Sequence, residues 1–256
     1  RSGMIVTLLS DFGLDSSYVG QMKLALLEGC PGLELVEISH LCPPQDVRAA
    51  AFLIYSAIKD LPRRPRLHVC VVDPGVGSSR GVLALKALGQ WFLAPDNGLL
   101  SYIVQLDPAC EGWLLPAAPP GASRTFHGRD HFVPLALHLL AHDSVPTMSR
   151  VVQPKPVFSR EPERTRAGFR ARWLFTDGFG NRISALRREH LEGTDPRSCR
   201  FQCGQSSVGW VDVYSQAEPG GLCVLEGSSG HIELAIRDGA AAARVSPDSV
   251  LSCELP

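Results

Sequence analysis

The chain has 256 residues, 45% hydrophobic and 20% charged, an ordinary globular composition long enough for one large domain or two smaller ones around a buried core. A formal net charge of −1 and a pI near 6.8 give no electrostatic basis for binding nucleic acid or an acidic membrane, so neither is expected as a partner. No stretch approaches a transmembrane helix in length, and the apolar run 4–9 is too short for a signal-peptide core.

Arg1-Ser2-Gly3 ahead of Met4 reads as a cloning remnant. Eight cysteines (Cys30, Cys42, Cys70, Cys110, Cys199, Cys203, Cys223, Cys253) lie scattered, several inside apolar runs where cysteine acts as a small hydrophobe. Without a C-x-x-C pair or a secretory signal, reduced thiols in the cytoplasm are expected. Cys199 and Cys203 lack the further ligands that would complete a zinc site, so no metal is expected.

Residues 4–9 read as a strand running into Ser10-Asp11-Phe12-Gly13. Residues 17–28 have helical spacing, with Asp15 or Ser16 as N-cap and Gly29 as the stop. A short strand at 35–38 leads to Ser39-His40. The run 46–59 then places Val47, Ala50, Ala51, Ile54 and Ile58 on one helical face before prolines end it. Residues 67–72 are apolar without alternation, the pattern of a strand covered on both faces, and Asp73-Pro74-Gly75 ends it. This strand–helix alternation predicts an α/β domain with a largely parallel sheet. Asp73 then sits at a strand's carboxyl end, where open α/β sheets bind ligands, and Arg80 follows in a Gly/Ser loop. A turn-capping Asp with Arg80 in solvent accounts for the same stretch equally well.

Residues 82–87 and 91–94 read as a hairpin, and Pro95-Asp96-Asn97-Gly98 as a turn ahead of a helix at 99–106. A strand is expected at 113–115. Thr125-Phe126-His127-Gly128-Arg129-Asp130 precedes an apolar helix at 132–141, which puts His127 beside free backbone N–H groups, with Arg129 and Asp130 as a local ion pair. His68, His138, His142, His190 and His231 read as structural. Prolines among charges make 153–167 a linker between an N-terminal domain, 4–152, and a C-terminal one, 168–256. In the latter, short strands at 172–176, 207–214, 222–226 and 231–236 separated by Gly-rich turns argue a small barrel or sandwich.

P-loop, dinucleotide-fingerprint, zincin and nucleophile-elbow motifs are all missing from the sequence. What remains is polar residues gathered at strand ends. Ser10-Asp11-Phe12-Gly13 with Tyr18-Val19-Gly20-Gln21-Met22-Lys23, Ile38-Ser39-His40 with Asp46-Val47-Arg48, VVDPGVGSSR (71–80), Pro95-Asp96-Asn97-Gly98, Phe126-His127-Gly128-Arg129-Asp130 and Asp177-Gly178-Phe179-Gly180-Asn181 follow one another in order. In that order and spacing they resemble the S-adenosyl-L-methionine hydroxide adenosyltransferases, relatives of the fluorinase and chlorinase enzymes, from Met4 to about Val245.

The resemblance implies an N-terminal α/β domain, a C-terminal β-barrel and a homotrimer. S-adenosylmethionine would lie as substrate, without further cofactor, between the N-terminal domain of one subunit and the C-terminal domain of its neighbour. It also implies a catalytic Asp73, Arg80 and His127. Asp11 would hold the ribose diol, Asn181 the adenine edge and Phe179 its face, with Asp177, Ser228 and Glu233 near methionine and adenosine. Because the halogenases carry other residues where this chain has Asp73 and His127, a water-using enzyme is expected, releasing adenosine and methionine. The family's D-F-G-x-x-D falls on Ser16 here, with the acid one position earlier at Asp15, and its T-N falls on Ser184-Ala185, so those contacts are not transferred.

The chemistry agrees with the resemblance. A sulfonium leaves as a neutral thioether and needs no acid, so only the attacking water needs help; with its bulk pKa near ~15.7 it must lose its proton as the bond to the 5′ carbon forms. Asp73 and His127 are the candidate acceptors, with Arg80 orienting Asp73 and keeping it ionised. The competing readings are a halogenase, a non-catalytic adenosine or sulfonium binding protein, and a metal-dependent hydrolase.

Overall fold

The structure, a computed structural model, describes residues 3–191 and 193–256. Arg1 and Ser2, read above as part of a cloning remnant, lie outside the described residues, as does Glu192. The chain divides into two compact units, Arg1–Phe158 and Ser159–Pro256, the break falling inside the stretch 153–167.

In the first unit β1 (Ile5–Ser10), α1 (Tyr18–Gly29), β2 (Glu34–Ser39), α2 (Val47–Ile58) and β3 (Arg66–Val71) alternate as the periodicity predicts. They are followed by β4 (Val82–Ala87), β5 (Gln90–Pro95), α3 (Ser101–Leu106), β6 (Glu111–Leu115), α4 (Val133–His142) and β7 (Arg150–Val152). The strands form one sheet in the order β2-β1-β3-β5-β4-β6-β7. Its first four strands are mutually parallel, and β4, β6 and β7 extend it antiparallel. The β4–β5 hairpin turns through Leu88 and Gly89, both at positive φ (54° and 71°), the backbone a two-residue hairpin turn requires. Met22 and Leu26 of α1 and Leu135, Ala136 and Leu139 of α4 pack with Val6, Leu8, Leu67, Val69 and Leu93 in one buried cluster. The strand residues between these, Cys70 and Phe92 among them, point to the opposite face and are also fully buried, so the sheet is covered on both sides.

On that opposite face His68 spans three strands. Its Nδ1 lies 2.7 Å from Thr7 Oγ1 on β1 and its Nε2 2.9 Å from Gln90 Oε1 on β5, with the ring stacked on Phe92. Burial pulls its pKa from 6.5 down to about 4. The unfolded chain therefore takes up a proton that the folded one refuses. Stability from this site is present above pH 6.5 and is lost as the pH falls toward 4, an expected loss on the order of 3 kcal/mol. Urea denaturation at both ends of that range, compared with a His68→Asn variant, checks it: equal losses in the two proteins would exclude His68 as the group responsible.

Local details depart from the sequence reading where side chains choose other partners. Neither Asp15 nor Ser16 caps α1: the N-cap is Ser17, and its Oγ accepts from Gln21 Nε2 (2.8 Å) instead of a backbone N–H. Asp46 caps α2 in the ordinary way, Oδ1 accepting from Ala49 N at 2.9 Å. The helix expected from 132 begins at Val133, after a π-helical turn over Gly128–Phe132. Residues read as linker are tied down at both ends: Val157 N donates to Ser101 Oγ (2.9 Å), Gln105 Nε2 donates to Phe158 O (2.7 Å), and Glu163–Arg164 forms β8.

The second unit continues with β9 (Gly168–Thr176), β10 (Arg182–Arg187), β11 (Arg200–Cys203), β12 (Ser206–Trp210), β13 (Leu222–Glu226), β14 (His231–Ile236) and β15 (Val250–Glu254). The order β10-β14-β13-β12-β11-β15-β9, with β9 pairing again to β10, closes a seven-stranded barrel, and β8 adds to the flank of β9. Closure rests on β9 changing partner midway, its residues 168–172 pairing with β15 and 173–176 with β10. The strand expected over 207–214 stops at Trp210, and β10, β11 and β15 are strands the periodicity does not mark.

Candidate active site

β3 ends where its apolar run ends, and the turn after it returns Arg80 onto Asp73. Arg80 Nε donates to both carboxylate oxygens (2.9 and 2.8 Å), and its Nη2 donates to Oδ2 as well. Both side chains are withdrawn from solvent, Asp73 to 6% and Arg80 to 11% exposure, so this is a desolvated, bidentate pair and not the solvent-facing turn that the local reading left open. The Asp73 oxygen also accepts the Gly75 N–H at 3.2 Å, which fixes the carboxylate to its own turn.

The same guanidinium reaches His127, forty-seven residues on in sequence, with Nη2 3.1 Å from Nδ1. A guanidinium has donors only, so Nδ1 is the acceptor and the neutral ring carries its proton on Nε2. His127 is buried, and burial together with the Arg80 charge holds its pKa below the usual value against the opposing pull of Asp73 and Asp130. It is therefore neutral at neutral pH. Arg129 and Asp130 form the expected ion pair (Nε to Oδ1, 2.5 Å), and Asp130 Oδ2 accepts from Ser123 N (2.9 Å), fixing the loop that leads into His127.

Two close approaches lock these loops together. A Cβ on Gly77, which has φ +79°, would lie 2.7 Å from the Arg124 carbonyl oxygen, and one on Gly128 would lie 2.9 Å from Met22 Sδ and 3.1 Å from the Phe12 ring. Phe12, Tyr18 and Phe126 pack ring to ring (4.8 to 5.9 Å), joining the loop after β1 to the turn that carries His127. Asp11 stands at the end of β1, which pairs with β3 up to Ser10 opposite Val71, so Asp11 and Asp73 leave neighbouring strands at the same edge. Asp11 Oδ2 accepts from Gln45 N (2.8 Å). Asn97, from the turn after β5, donates to the Val72 carbonyl (3.0 Å) and braces the approach to Asp73.

The remaining sequence candidates meet in the second unit. A cavity of about 780 Å³ is lined by Asp177, Phe179, Asn181, Ser228 and Glu233, with Tyr214 and Arg237. Asp177 Oδ1 accepts the backbone N–H groups of Phe179 and Asn181 (2.9 Å each), and Oδ2 accepts Asn181 Nδ2 (3.0 Å), so Asp177 builds the turn that presents the other two. Phe179 is 82% exposed, an open flat face. Tyr214 donates to Glu233 Oε2 (3.1 Å) and accepts from Asn181 Nδ2 (3.4 Å). Burial and the Glu233 charge push the Tyr214 hydroxyl up to about 12, which keeps it a donor; burial, with Asp177 nearby, raises Glu233.

The structure thus gathers Asp73, Arg80 and His127 in one cluster and Asp177, Phe179, Asn181, Ser228 and Glu233 around one cavity. Asp15 and Ser16 are exposed, and Ser184 is buried in the barrel core with Oγ donating to Ile232 O (2.6 Å). Tyr214 and Arg237 are cavity residues that sequence reasoning missed. Tyr214 stood at the end of the strand expected over 207–214, which stops at Trp210. Among the described residues no group of three or more His, Cys, Asp or Glu side chains is placed to hold a metal ion.

An α/β unit with a charged cluster at the carboxyl edge of its parallel strands, followed by a β-barrel unit with a polar cavity, defines a two-domain protein of α/β-plus-barrel architecture. The comparisons narrow this class. Residues 6–149 match the SAM hydroxide adenosyltransferase N-terminal domain and residues 172–248 the C-terminal domain of the same family, and the chain belongs to that family. It is 36% identical over 247 residues to a protein of Thermus thermophilus named (R)-S-adenosyl-L-methionine hydrolase, covering 92% of this chain and 93% of that one. It is 25% identical over 225 residues to a fluorinase of Actinoplanes, covering 73% of each. The crystal structure of an uncharacterized conserved protein from Thermotoga maritima superposes with a TM-score of 0.85 at 28% identity, over 98% of this chain and all (100%) of that one.

Proposed function

We propose that the protein hydrolyses S-adenosyl-L-methionine to adenosine and L-methionine, with the (R)-sulfonium epimer named for its relatives as the preferred form. The observation that carries this is the convergence of Asp73 and Arg80, from the loop after β3, with His127, from the loop ahead of α4, into one hydrogen-bonded cluster. A water attacks the 5′ carbon, its oxygen bonds to carbon, and the carbon–sulfur electron pair leaves with sulfur as a neutral thioether. His127 offers its Nε2–H to align the water, since its Nδ1 lone pair is committed to Arg80. The proton passes to the Asp73 carboxylate and on to solvent, because a water bonding to carbon becomes acidic enough for a weak base to suffice.

Asp11 holds the ribose diol, Asn181 and Phe179 the adenine edge and face, and Asp177, Ser228 and Glu233 the remaining polar groups of substrate. The N-terminal domain (4–152) and the C-terminal domain (168–256), joined by 153–167, each carry one half of this set. That distribution supports a homotrimer in which the N-terminal domain of one subunit completes its site with the C-terminal domain of its neighbour. Leu14, Leu41 and Val76, on the loops after β1, β2 and β3, are exposed apolar side chains suited to such a contact. We place the enzyme in the cytoplasm, working without metal. All eight cysteines are free and seven are buried, burial pushing the Cys42 and Cys253 thiols up to about 12, which suits a reducing compartment and unreactive thiols. Among the described residues no helix is long and apolar enough to cross a membrane.

Incubation with each sulfonium epimer, with and without chelator, followed by nucleoside separation tests the proposal. Adenosine and methionine released in equal amounts, unaffected by chelator, are expected. Halide-dependent 5′-halo-adenosine would move the protein to the halogenase branch, and tight adenosine binding without turnover would make it a binding protein. The higher identity to the hydrolase than to the fluorinase favours the first outcome.

The cavity gives a further expected result. A Cβ on Gly227 would lie 1.7 Å from Glu233 Oε1, so Gly227→Ala must displace the carboxylate that accepts from Tyr214. Adenosine affinity measured by calorimetry should fall by about tenfold or more, the cost of one displaced polar contact. Unchanged affinity would remove Glu233 from the binding set.

A further inference from the structure

His131 lies one helical turn beyond His127, inside the π-helical segment Gly128–Phe132, and is only 4% exposed. Its Nε2 sits 2.9 Å from the carbonyl oxygen of Pro116, the residue directly after β6. A carbonyl only accepts, so Nε2 bears the hydrogen and Nδ1 keeps a bare lone pair. That Nδ1 is buried and has no hydrogen-bond partner among the described residues. The ring stands perpendicular to His127 (88°) with centroids 5.6 Å apart, and edge-on to Phe132 at 6.0 Å. Phe132 in turn lies 5.6 Å beneath the Arg80 guanidinium.

An apolar ring would fill this space without an unmet acceptor, so burying imidazole here disfavours folding unless its N–H is needed. What the N–H does is specific: it ties the turn that carries His127 to the end of β6, three strands along from β3 in the sheet. The turn itself is wide, its Val133 N–H returning to Gly128 O, and a π-helical turn has weaker internal hydrogen bonding than an α-helical one to fix it. The groups facing His131 are His127 and Phe132 on its own segment and the Pro116 carbonyl, with Arg80 and Asp73 the nearest charges. Burial and the neighbouring His127 and Arg80 lower its pKa, which agrees with a neutral ring.

We propose that His131 is a positioning residue for His127: its Nε2–H to Pro116 O anchors the wide turn and packs a neutral ring against the His127 imidazole, holding Nδ1 of His127 on Arg80. The inference rests on the Asp73–Arg80–His127 reading of the site. His131→Phe keeps a ring of similar size and loses the anchor; kcat for S-adenosylmethionine hydrolysis should fall about 10- to 100-fold at little changed KM, as expected for a misplaced group that acts in the transition state. His131→Gln, which restores a donor at similar reach, should recover most of the loss.

The deciding comparison is the His127→Ala background. A residue that acts through His127 has nothing left to position there, so adding His131→Phe should change the residual rate by less than about twofold, whereas a merely structural residue would lower it again. Full kcat in the His131→Phe single variant, or an undiminished second loss in the double variant, overturns the proposal. Full activity of His127→Ala alone would instead overturn the triad. Should His131→Phe not fold, ring 15N spectra of the wild type decide: His131 should still be in its neutral Nε2–H form at pH 6.5, and an imidazolium at that pH would sink the proposal.

Discussion

Asp73→Asn is expected to lower turnover of S-adenosylmethionine by about 10²–10⁴-fold while leaving its affinity within a few-fold, and His127→Ala to do the same. The size follows from what each group contributes. Asparagine matches the shape of aspartate but cannot take the proton that the attacking water must shed. Alanine at 127 removes the Nε2–H proposed to align that water and leaves Arg80 Nη2 without its nitrogen partner. Neither change touches the barrel cavity, where Asp177, Asn181 and Glu233 form their own hydrogen-bond network, so binding should survive. Titration calorimetry against steady-state rates separates the two. Rates that survive both substitutions would remove the cluster from the chemistry, and lost binding would recast it as part of the substrate contact.

The acid side of the pH profile carries the same argument. Protonating His127 places an N–H at Nδ1 facing a guanidinium, which breaks the contact that defines the cluster. Because burial and Arg80 hold the His127 pKa below the ordinary 6.5, activity should persist at pH 6.5 and fall only at lower pH. That same depression makes the folded state less stable relative to the unfolded one as the pH drops below 6.5, the direction also expected for His68.

Which parts of this were legible in the residues follows from what each signal depends on. Buried parallel strands advertise themselves as apolar runs, so β1 and β3, and with them the places of Asp11 and Asp73, could be read directly. His127 could be placed at a helix start because a polar loop abuts an apolar helix. The π-helical turn could not, and its Gly128 packs closely on Met22 and Phe12, which come from elsewhere in the chain. In the barrel, β10 hides because Arg182 opens it; that guanidinium is buried, donating to Thr176 Oγ1 and to the Val245 carbonyl (2.8 Å each), a pairing invisible before folding. The pair of Asp73 and Arg80 looked like a solvated turn as easily as a site, and the bidentate geometry and its burial exclude the solvated turn.

That burial carries the largest stability effect. Arg80→Met should destabilise the N-terminal domain by about 3–5 kcal/mol, because it strands the Asp73 carboxylate at 6% exposure with its charge uncompensated. The guanidinium also supplies three of the hydrogen bonds that Asp73 accepts and the one to His127, so the loss is not that of a surface ion pair, which would be worth less than about 1 kcal/mol. Methionine retains the alkyl packing beside the Phe132 ring and so isolates the charge. Adding Asp73→Leu removes the stranded carboxylate, and most of the lost stability should return, since an apolar pair avoids the desolvation that both ions suffer. Urea unfolding of the wild type, the two single variants and the double variant closes the cycle, while all three variants should be inactive. A double variant no more stable than Arg80→Met alone would mean that water reaches Asp73 in the folded protein. The cluster would then be an open, solvated one, and the dry geometry on which the proposed attack at carbon depends would be lost with it.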